Sequence, residues 1–374
     1  MNLPFLNLQK VNAEIEPEIT QAVASAISSG WYILGKFGEQ FEAELKRFLC
    51  GPDEGYVIGC NSGTDALQLS LLGAAVDPGD EVITVSHTAI PTVSAICAVR
   101  ATPVLIDIDP RTWVMDTDAA IRAVTEKTKA IIPVHLYGNM VDVRKLQAAL
   151  GKIGREDIAI VEDVAQAHGA TLHGQEAGTL GRFGAFSFYP SKNIGALGDA
   201  GAVFSSSLED IQSLRALRNY GQKDRYNAET PRGINSRLDE IQAAILAVKL
   251  RHLDRWLREK ATMMARYHTG LSAVPVSFQE ITPGCEPAWH LCVIAVETAS
   301  LRTRLIQHLT KEEIQTLIHY PIPTHKQQAF SLAGSPSLPT TEDLADRILS
   351  LPLNTVLAQE EQDKVIEAVR NFYS

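Results

Sequence analysis

Three short stretches of this chain carry residue types suited to chemistry, and they follow one another in order. The first is Asn61-Ser62-Gly63-Thr64-Asp65-Ala66-Leu67, small hydroxyl residues and a glycine between an apolar run and a helix-forming stretch. Such a turn presents backbone N–H groups at the positive end of a helix, a cup for phosphate; the same residues also make a plain helix N-cap. The second is Ile158-Ala159-Ile160-Val161-Glu162-Asp163, an apolar run that ends in two acids and continues Val164-Ala165-Gln166-Ala167-His168. A carboxylate at the end of a buried strand is costly unless paired. A cationic ring nitrogen on a bound cofactor would pair it; the bland alternative is a cap for the next helix. The third is Phe186-Ser187-Phe188-Tyr189-Pro190-Ser191-Lys192-Asn193, followed by the Gly-rich Ile194–Ala202. A lysine planted after a buried aromatic strand is desolvated, loses pKa and becomes a nucleophile, as Schiff-base lysines do. Most lysines on loops simply face solvent, and Lys192 stands out through the company it keeps.

The elements that must position these residues are legible in outline. Strand candidates are 56–58, 81–86, 103–108, 130–136, 158–162, 185–188 and 202–205, and between them lie helix-like segments such as 65–75, 92–99, 116–124 and 143–150. This alternation predicts an α/β domain with a mostly parallel sheet covered on both faces, whose ligands bind beyond the carboxyl ends of the strands. From Leu238 to Tyr267 apolar residues recur every three or four positions without Pro or Gly, which predicts one long helix bridging out of the large domain. A strand at 290–296 and helices at 300–309 and 359–372 then predict a smaller α+β domain, with the large domain spanning 1–250 and the small one 251–374.

Composition narrows the classes. The chain has 374 residues, 45% hydrophobic and 21% charged, with 34 basic against 44 acidic residues and a net charge of −10. That length suits two domains sharing a cleft. The acidic balance argues against nucleic acid as a partner, which demands clustered Lys and Arg. Five cysteines without paired short spacing fit neither a disulfide framework nor a zinc site. Residues 1–5 show no basic, apolar leader, and no run approaches ~20 uninterrupted apolar residues. A cytoplasmic protein with no membrane partner is the expectation.

With these motifs in this order, the chain resembles the fold-type I pyridoxal-phosphate enzymes, whose architecture is that of aspartate aminotransferase, and within them the nucleotide-sugar aminotransferases. Ile27-Ser28-Ser29-Gly30-Trp31-Tyr32-Ile33-Leu34-Gly35 with Phe41-Glu42 resembles that family's substrate-side loop, and His319-Tyr320-Pro321-Ile322-Pro323-Thr324-His325 its C-terminal signature. The resemblance implies pyridoxal 5'-phosphate as cofactor, with pyridoxamine 5'-phosphate as its intermediate form. It implies that Lys192 forms the Schiff base and moves the proton, that Asp163 pairs with the ring nitrogen, and that Gln166 bonds the phenolic oxygen. Gly63, Thr64 and Ser187 hold the phosphate, with Ser62 close by. Asn235, in Gly233-Ile234-Asn235-Ser236-Arg237-Leu238, resembles the residue that reaches the phosphate of the neighbouring subunit, which implies a homodimer with shared active sites. In one place the chain departs: where the family stacks a bulky side chain on the ring, the loop Val85-Ser86-His87-Thr88-Ala89-Ile90-Pro91 carries Ala89, leaving His87 as a candidate.

The segments 189–199 and 219–240 resemble members that aminate C3 of a keto-sugar, which implies a dTDP- or UDP-linked 3-keto-6-deoxyhexose as acceptor and glutamate as donor, in the making of antibiotic sugars, polysaccharide or lipopolysaccharide. A 4-keto acceptor is the alternative. A sugar dehydratase of the same fold replaces the Schiff-base lysine with histidine, and Lys192 stands intact. Enzymes of this fold that act on amino acids generally carry a carboxylate-clamping Arg in the small domain, and none is evident around 290–296. A regulatory protein would need a DNA-binding helix pair or a basic surface, and neither is visible. Tyr320, His319 and Arg237 are candidate substrate contacts, and Arg218, Lys223, Arg225, Arg232 and Arg237 form a basic stretch suited to a diphosphate or, more plainly, to solvent.

Overall fold

The computed structural model describes residues 3–51, 54–330 and 336–374, so the first two residues of the leader reading lie outside it. Three helices open the chain: α1 (Leu8–Ala13), α2 (Glu16–Ser29) and α3 (Lys36–Cys50). Phe41, Leu45 and Leu49 of α3 repeat every fourth position and form its buried stripe. Seven strands and five helices follow: β1 (Tyr56–Cys60), α4 (Gly63–Gly73), β2 (Glu81–Val85), α5 (Ile90–Ala98), β3 (Thr102–Ile106), α6 (Thr117–Arg122), β4 (Thr128–Ile132), α7 (Val143–Lys152), β5 (Ala159–Asp163), β6 (Phe183–Ser187), β7 (Gly201–Ser205) and α8 (Leu208–Leu217). They form one sheet in the order β1-β7-β6-β5-β4-β2-β3. The pairs from β3 to β6 are parallel, and β7 runs antiparallel to both its neighbours. The expected mostly parallel α/β sheet is present. Its central strands read as unbroken apolar runs because helices cover both faces: Ala159 to Asp163 is buried at every position.

The sheet's arrangement places the ends of β1, β5 and β6 together, since β7 threads between β1 and β6. Close backbone approach seals this. A side chain on Gly201 would come within 2.3 Å of the Ser62 carbonyl, and one on Gly63 within 2.3 Å of Ser187. Both positions therefore require glycine.

Beyond the sheet lie α9 (Glu240–Leu250) and α10 (Leu253–Gly270), where the periodicity predicts a single helix. The break falls at Arg251 and His252 without Pro or Gly. Its reason is burial: α9 is buried along most of its length and packs against α2 and α3, whereas α10 is amphipathic. The bend lets α10 serve two cores. Leu253 and Trp256 join the one under α9, and Met264 and Tyr267 join a third core with α11 (Ala299–Lys311) and α13 (Gln359–Tyr373). That third core also holds β9 (Cys292–Ala295), which pairs antiparallel with β8 (Ser277–Phe278) and with β10 (Ile348–Leu351); α12 (Pro339–Arg347) leads into β10. Leu3, expected with the large domain, packs in this core as well.

Glu162 shows what a strand-end acid does when it is structural. Its carboxylate is fully buried and accepts from His135 Nε2 (2.8 Å) and from the backbone N–H groups of Gly178, Leu180 and Gly181. Removing it leaves four donors without acceptors. Glu162→Ala is expected to lose about 3 kcal/mol of stability, read as a lower urea midpoint with an unchanged slope.

Candidate active site

The turn after β1 becomes an anion cup by capping. Ser62 Oγ accepts from the Asp65 N–H at 3.1 Å, which leaves the earlier N–H groups of α4, Gly63 and Thr64 among them, facing out. Ser187, at the end of β6, borders the same space. Ser236 ties in a further segment: its hydroxyl donates to Asp65 Oδ2 (2.8 Å) and accepts from the Asn61 N–H (3.1 Å). Its neighbour Asn235 is exposed and bridges to Asn219.

Asp163 ends β5 and is 5% exposed. Thr92 of α5 donates to its Oδ2 at 2.8 Å and the Ala165 N–H to its Oδ1 at 3.1 Å, while Thr88 braces Thr92 at 2.9 Å. Burial raises the carboxyl pKa; these donors and the charges of Lys192 and His135 pull it back. Among the described residues no lysine, arginine or histidine pairs with it at ion-pair distance. Gln166 Oε1 accepts from the Tyr137 N–H (2.8 Å) and its Nε2 donates to Tyr320 Oη (3.0 Å). Tyr137 is itself held at φ +64° and buried, its hydroxyl donating to the His319 carbonyl and lying 2.8 Å from His87 Nε2. His87 is thus engaged edge-on with Tyr137, buried, and its pKa is pushed down to about 4.

Lys192 lies on the turn after β6, its N–H bonded to the Tyr189 carbonyl at 2.8 Å. Burial lowers its ammonium to about 8, against the pull of the Asp163 charge. The loop is clamped from behind. Lys249 Nζ donates to the Gly195 carbonyl (2.6 Å), Lys260 Nζ to Asn193 Oδ1 (2.8 Å), and Asn193 Nδ2 to the Ala288 carbonyl (2.9 Å).

The C-terminal signature docks across this site. His325 Nδ1 lies 2.6 Å from Ser86 Oγ, and the Thr324 N–H donates to the Ser86 carbonyl. His319 contacts Ser350 Oγ at 2.8 Å and packs on Phe5, its pKa pushed down to about 4 by burial and by Lys192. Arg237 bonds Asn219 Oδ1 (3.1 Å) and lies over the Tyr220 ring. The basic stretch does not form one cluster. Arg218 is buried against Glu42 (2.8 Å), Arg232 pairs with Asp77 (2.8 Å) and Lys223 with Glu229 (3.2 Å). Internal pairing consumes most of that charge. Sequence reasoning also missed Thr92, Tyr137, Ser236, Lys249 and Lys260, which lie far along the chain from what they hold.

A cup for phosphate, a buried carboxylate lacking a cation and a lysine with lowered pKa fit pyridoxal 5'-phosphate: Asp163 would offer the ring nitrogen its counter-charge and Lys192 would offer the carbonyl its amine. That set defines the class, a pyridoxal-phosphate enzyme of fold type I. The chain belongs to the DegT/DnrJ/EryC1/StrS aminotransferase family, whose pattern matches residues 13–370. It is 43% identical, over 99% of both chains, to the erythromycin biosynthesis sensory transduction protein EryC1 of Saccharopolyspora erythraea. It is 41% identical to the dTDP-3-amino-3,4,6-trideoxy-alpha-D-glucose transaminase of Streptomyces venezuelae, over 99% of this chain and 96% of that one. The crystal structure of S. venezuelae DesV with a ketimine intermediate superposes with a TM-score of 0.94 at 40% identity, covering 100% of this chain and 99% of that one. The chain is a pyridoxal-phosphate-dependent sugar aminotransferase.

Only a neutral amine attacks the cofactor carbonyl, and the neutral fraction of Lys192 rises as pH climbs through its pKa. Reconstitution of cofactor-depleted protein with pyridoxal phosphate is expected to accelerate with a midpoint near pH 8, followed as growth of the yellow absorbance. An ordinary lysine would set the midpoint near 10.4.

Proposed function

We propose that this aminotransferase acts at C3 of a dTDP- or UDP-linked 3-keto-6-deoxyhexose, takes its amino group from glutamate and works as a cytoplasmic homodimer with shared sites. The observation that carries the reading is Lys192, placed with lowered pKa beside Asp163 and the Ser62–Thr64 cup. The relative named for a 3-amino sugar supports C3, and its name is a property of that relative. Five free cysteines suit a reducing compartment.

Bound pyridoxal phosphate supplies an electron sink that labilises the proton on the carbon bearing the amine. The rest falls to the chain. Lys192 Nζ takes that proton and returns it in a 1,3-shift, on the far side of the nitrogen, a task suited to an amine whose pKa lies near neutrality. Asp163 stays ionised once a cation faces it and holds the ring nitrogen protonated. Ser62, Gly63, Thr64 and Ser187 grip the phosphate, and Gln166, oriented by Tyr137, meets the phenolic oxygen. Tyr320, His319 and Arg237 line the approach of the sugar, and closure of a domain of residues 251–374 on one of 1–250 excludes water.

The dimer reading has its own support. Trp31 is 62% exposed, Tyr32 49% and Tyr189 55%, an apolar display costly to leave in water. Asn235 projects from the segment that Ser236 fastens to the cup, as a residue serving the partner's phosphate would.

Lys192→Ala is expected to fold and retain cofactor while transamination falls below detection. Offered enzymatically prepared keto-sugar nucleotides with glutamate, the wild type is expected to release 2-oxoglutarate with 3-keto acceptors at least tenfold faster than with 4-keto ones. The reverse preference would move the assignment to C4.

A further inference from the structure

Beside Lys192 lies a cavity of roughly 200 Å³, bordered by His319 as well, whose two further lysines the reading above leaves unused. Three lysines line it, Lys192, Lys249 and Lys260, together with His290 and Asn193. Lys249 is 4% exposed and Lys260 9%; burial lowers each ammonium to about 8, and among the described residues no carboxylate offsets it. Each spends one N–H on the loop, on Gly195 O and Asn193 Oδ1 respectively. An ammonium has three donors, so two remain on each. Unpaired buried cations are costly, and His290, held neutral by burial and then by the nearby Lys192 and Lys260, adds no further positive charge. The remaining lining includes apolar side chains: Phe5 and Leu8 from the N-terminal segment, Leu253 and Trp256 from α10. The volume falls short of the roughly 300–1,000 Å³ of sites for larger ligands, which excludes a nucleotide.

We propose that this cavity is a carboxylate subsite, in which Lys249 and Lys260 hold one carboxylate of a dicarboxylic amino donor while its methylenes lie on the apolar lining and its amine meets the cofactor at Lys192. The assignment of the carboxylate to the donor rests on the transaminase reading; the affinity of the cavity for a small carboxylate does not. It gives the enzyme a means to select a dicarboxylate donor without an arginine clamp. The lysines then have two duties, holding the Lys192 loop and reading the donor.

The test is calorimetric titration of the yellow holoenzyme with glutarate, a dicarboxylate that lacks the amine and cannot react. Binding is expected in the wild type and at least tenfold weaker in Lys249→Met and Lys260→Met. Leu8→Glu, which places a carboxylate in the cavity lining and leaves the loop clamp intact, is expected to abolish glutarate binding, whereas Leu8→Gln preserves it. Equal binding by Leu8→Glu and Leu8→Gln, or no glutarate binding by the wild type, overturns the proposal. In rapid mixing, Leu8→Glu is expected to raise the half-saturating glutamate concentration at least tenfold, whereas Leu8→Gln leaves it within twofold. Equal weakening by Leu8→Glu and Leu8→Gln also overturns it. If glutarate binds as expected but glutamate never bleaches the cofactor, the subsite stands and glutamate as donor falls.

Discussion

Asp163 is a carboxylate whose counter-ion the polypeptide withholds. It sits at the end of a fully buried strand and receives hydrogen bonds from Thr92 and Ala165, yet among the described residues no cation pairs with it. Its neighbour Glu162 shows the contrast, satisfied on both oxygens by His135 and three backbone N–H groups. One of two adjacent acids is spent on structure and the other, Asp163, is the one we propose to face the cofactor. Much of the surrounding architecture serves to keep that second acid dry, ionisable and correctly aimed. The order of the sheet, with β7 inserted between β1 and β6, gathers the cup and the lysine beside it.

The site is braced by chains of contacts that cross the whole fold. Gln166 is fixed by Tyr137 and Tyr320, and Tyr137 by His319 and His87. The C-terminal signature locks to the loop after β2 through Thr324, His325 and Ser86. Such a network costs little once every member is satisfied and much if one is lost, which is how a cofactor site acquires a fixed geometry. The Lys192 loop is fastened in the same way by two lysines whose burial, among the described residues, no carboxylate compensates.

The chemistry was legible in the sequence where a reactive residue sits next to a recognisable element end. Lys192 and Asp163 each follow an apolar strand, and Ser62 opens an amphipathic stretch, so local pattern located all three. The second ring of residues was not legible, because its contacts join distant positions: Thr92 meets Asp163 across 71 residues and Ser236 meets Asp65 across 171. The basic stretch from Arg218 to Arg237 misled, since charge was visible in sequence while its pairing with Glu42, Asp77 and Glu229 was not. The single helix expected from Leu238 to Tyr267 failed for a related reason. Helical periodicity persists through Arg251 and His252, and only the competing demands of two cores bend the axis there.

The account turns on Asp163 holding a proton on the cofactor's ring nitrogen. Holoenzyme reconstituted with pyridoxal phosphate labelled with 15N at that nitrogen, compared between wild type and Asp163→Asn by NMR, reads this directly. The wild type should show a protonated nitrogen throughout pH 6 to 9 and the variant a deprotonated one over the same range. A variant whose ring nitrogen stays protonated would contradict the account, whatever its residual activity.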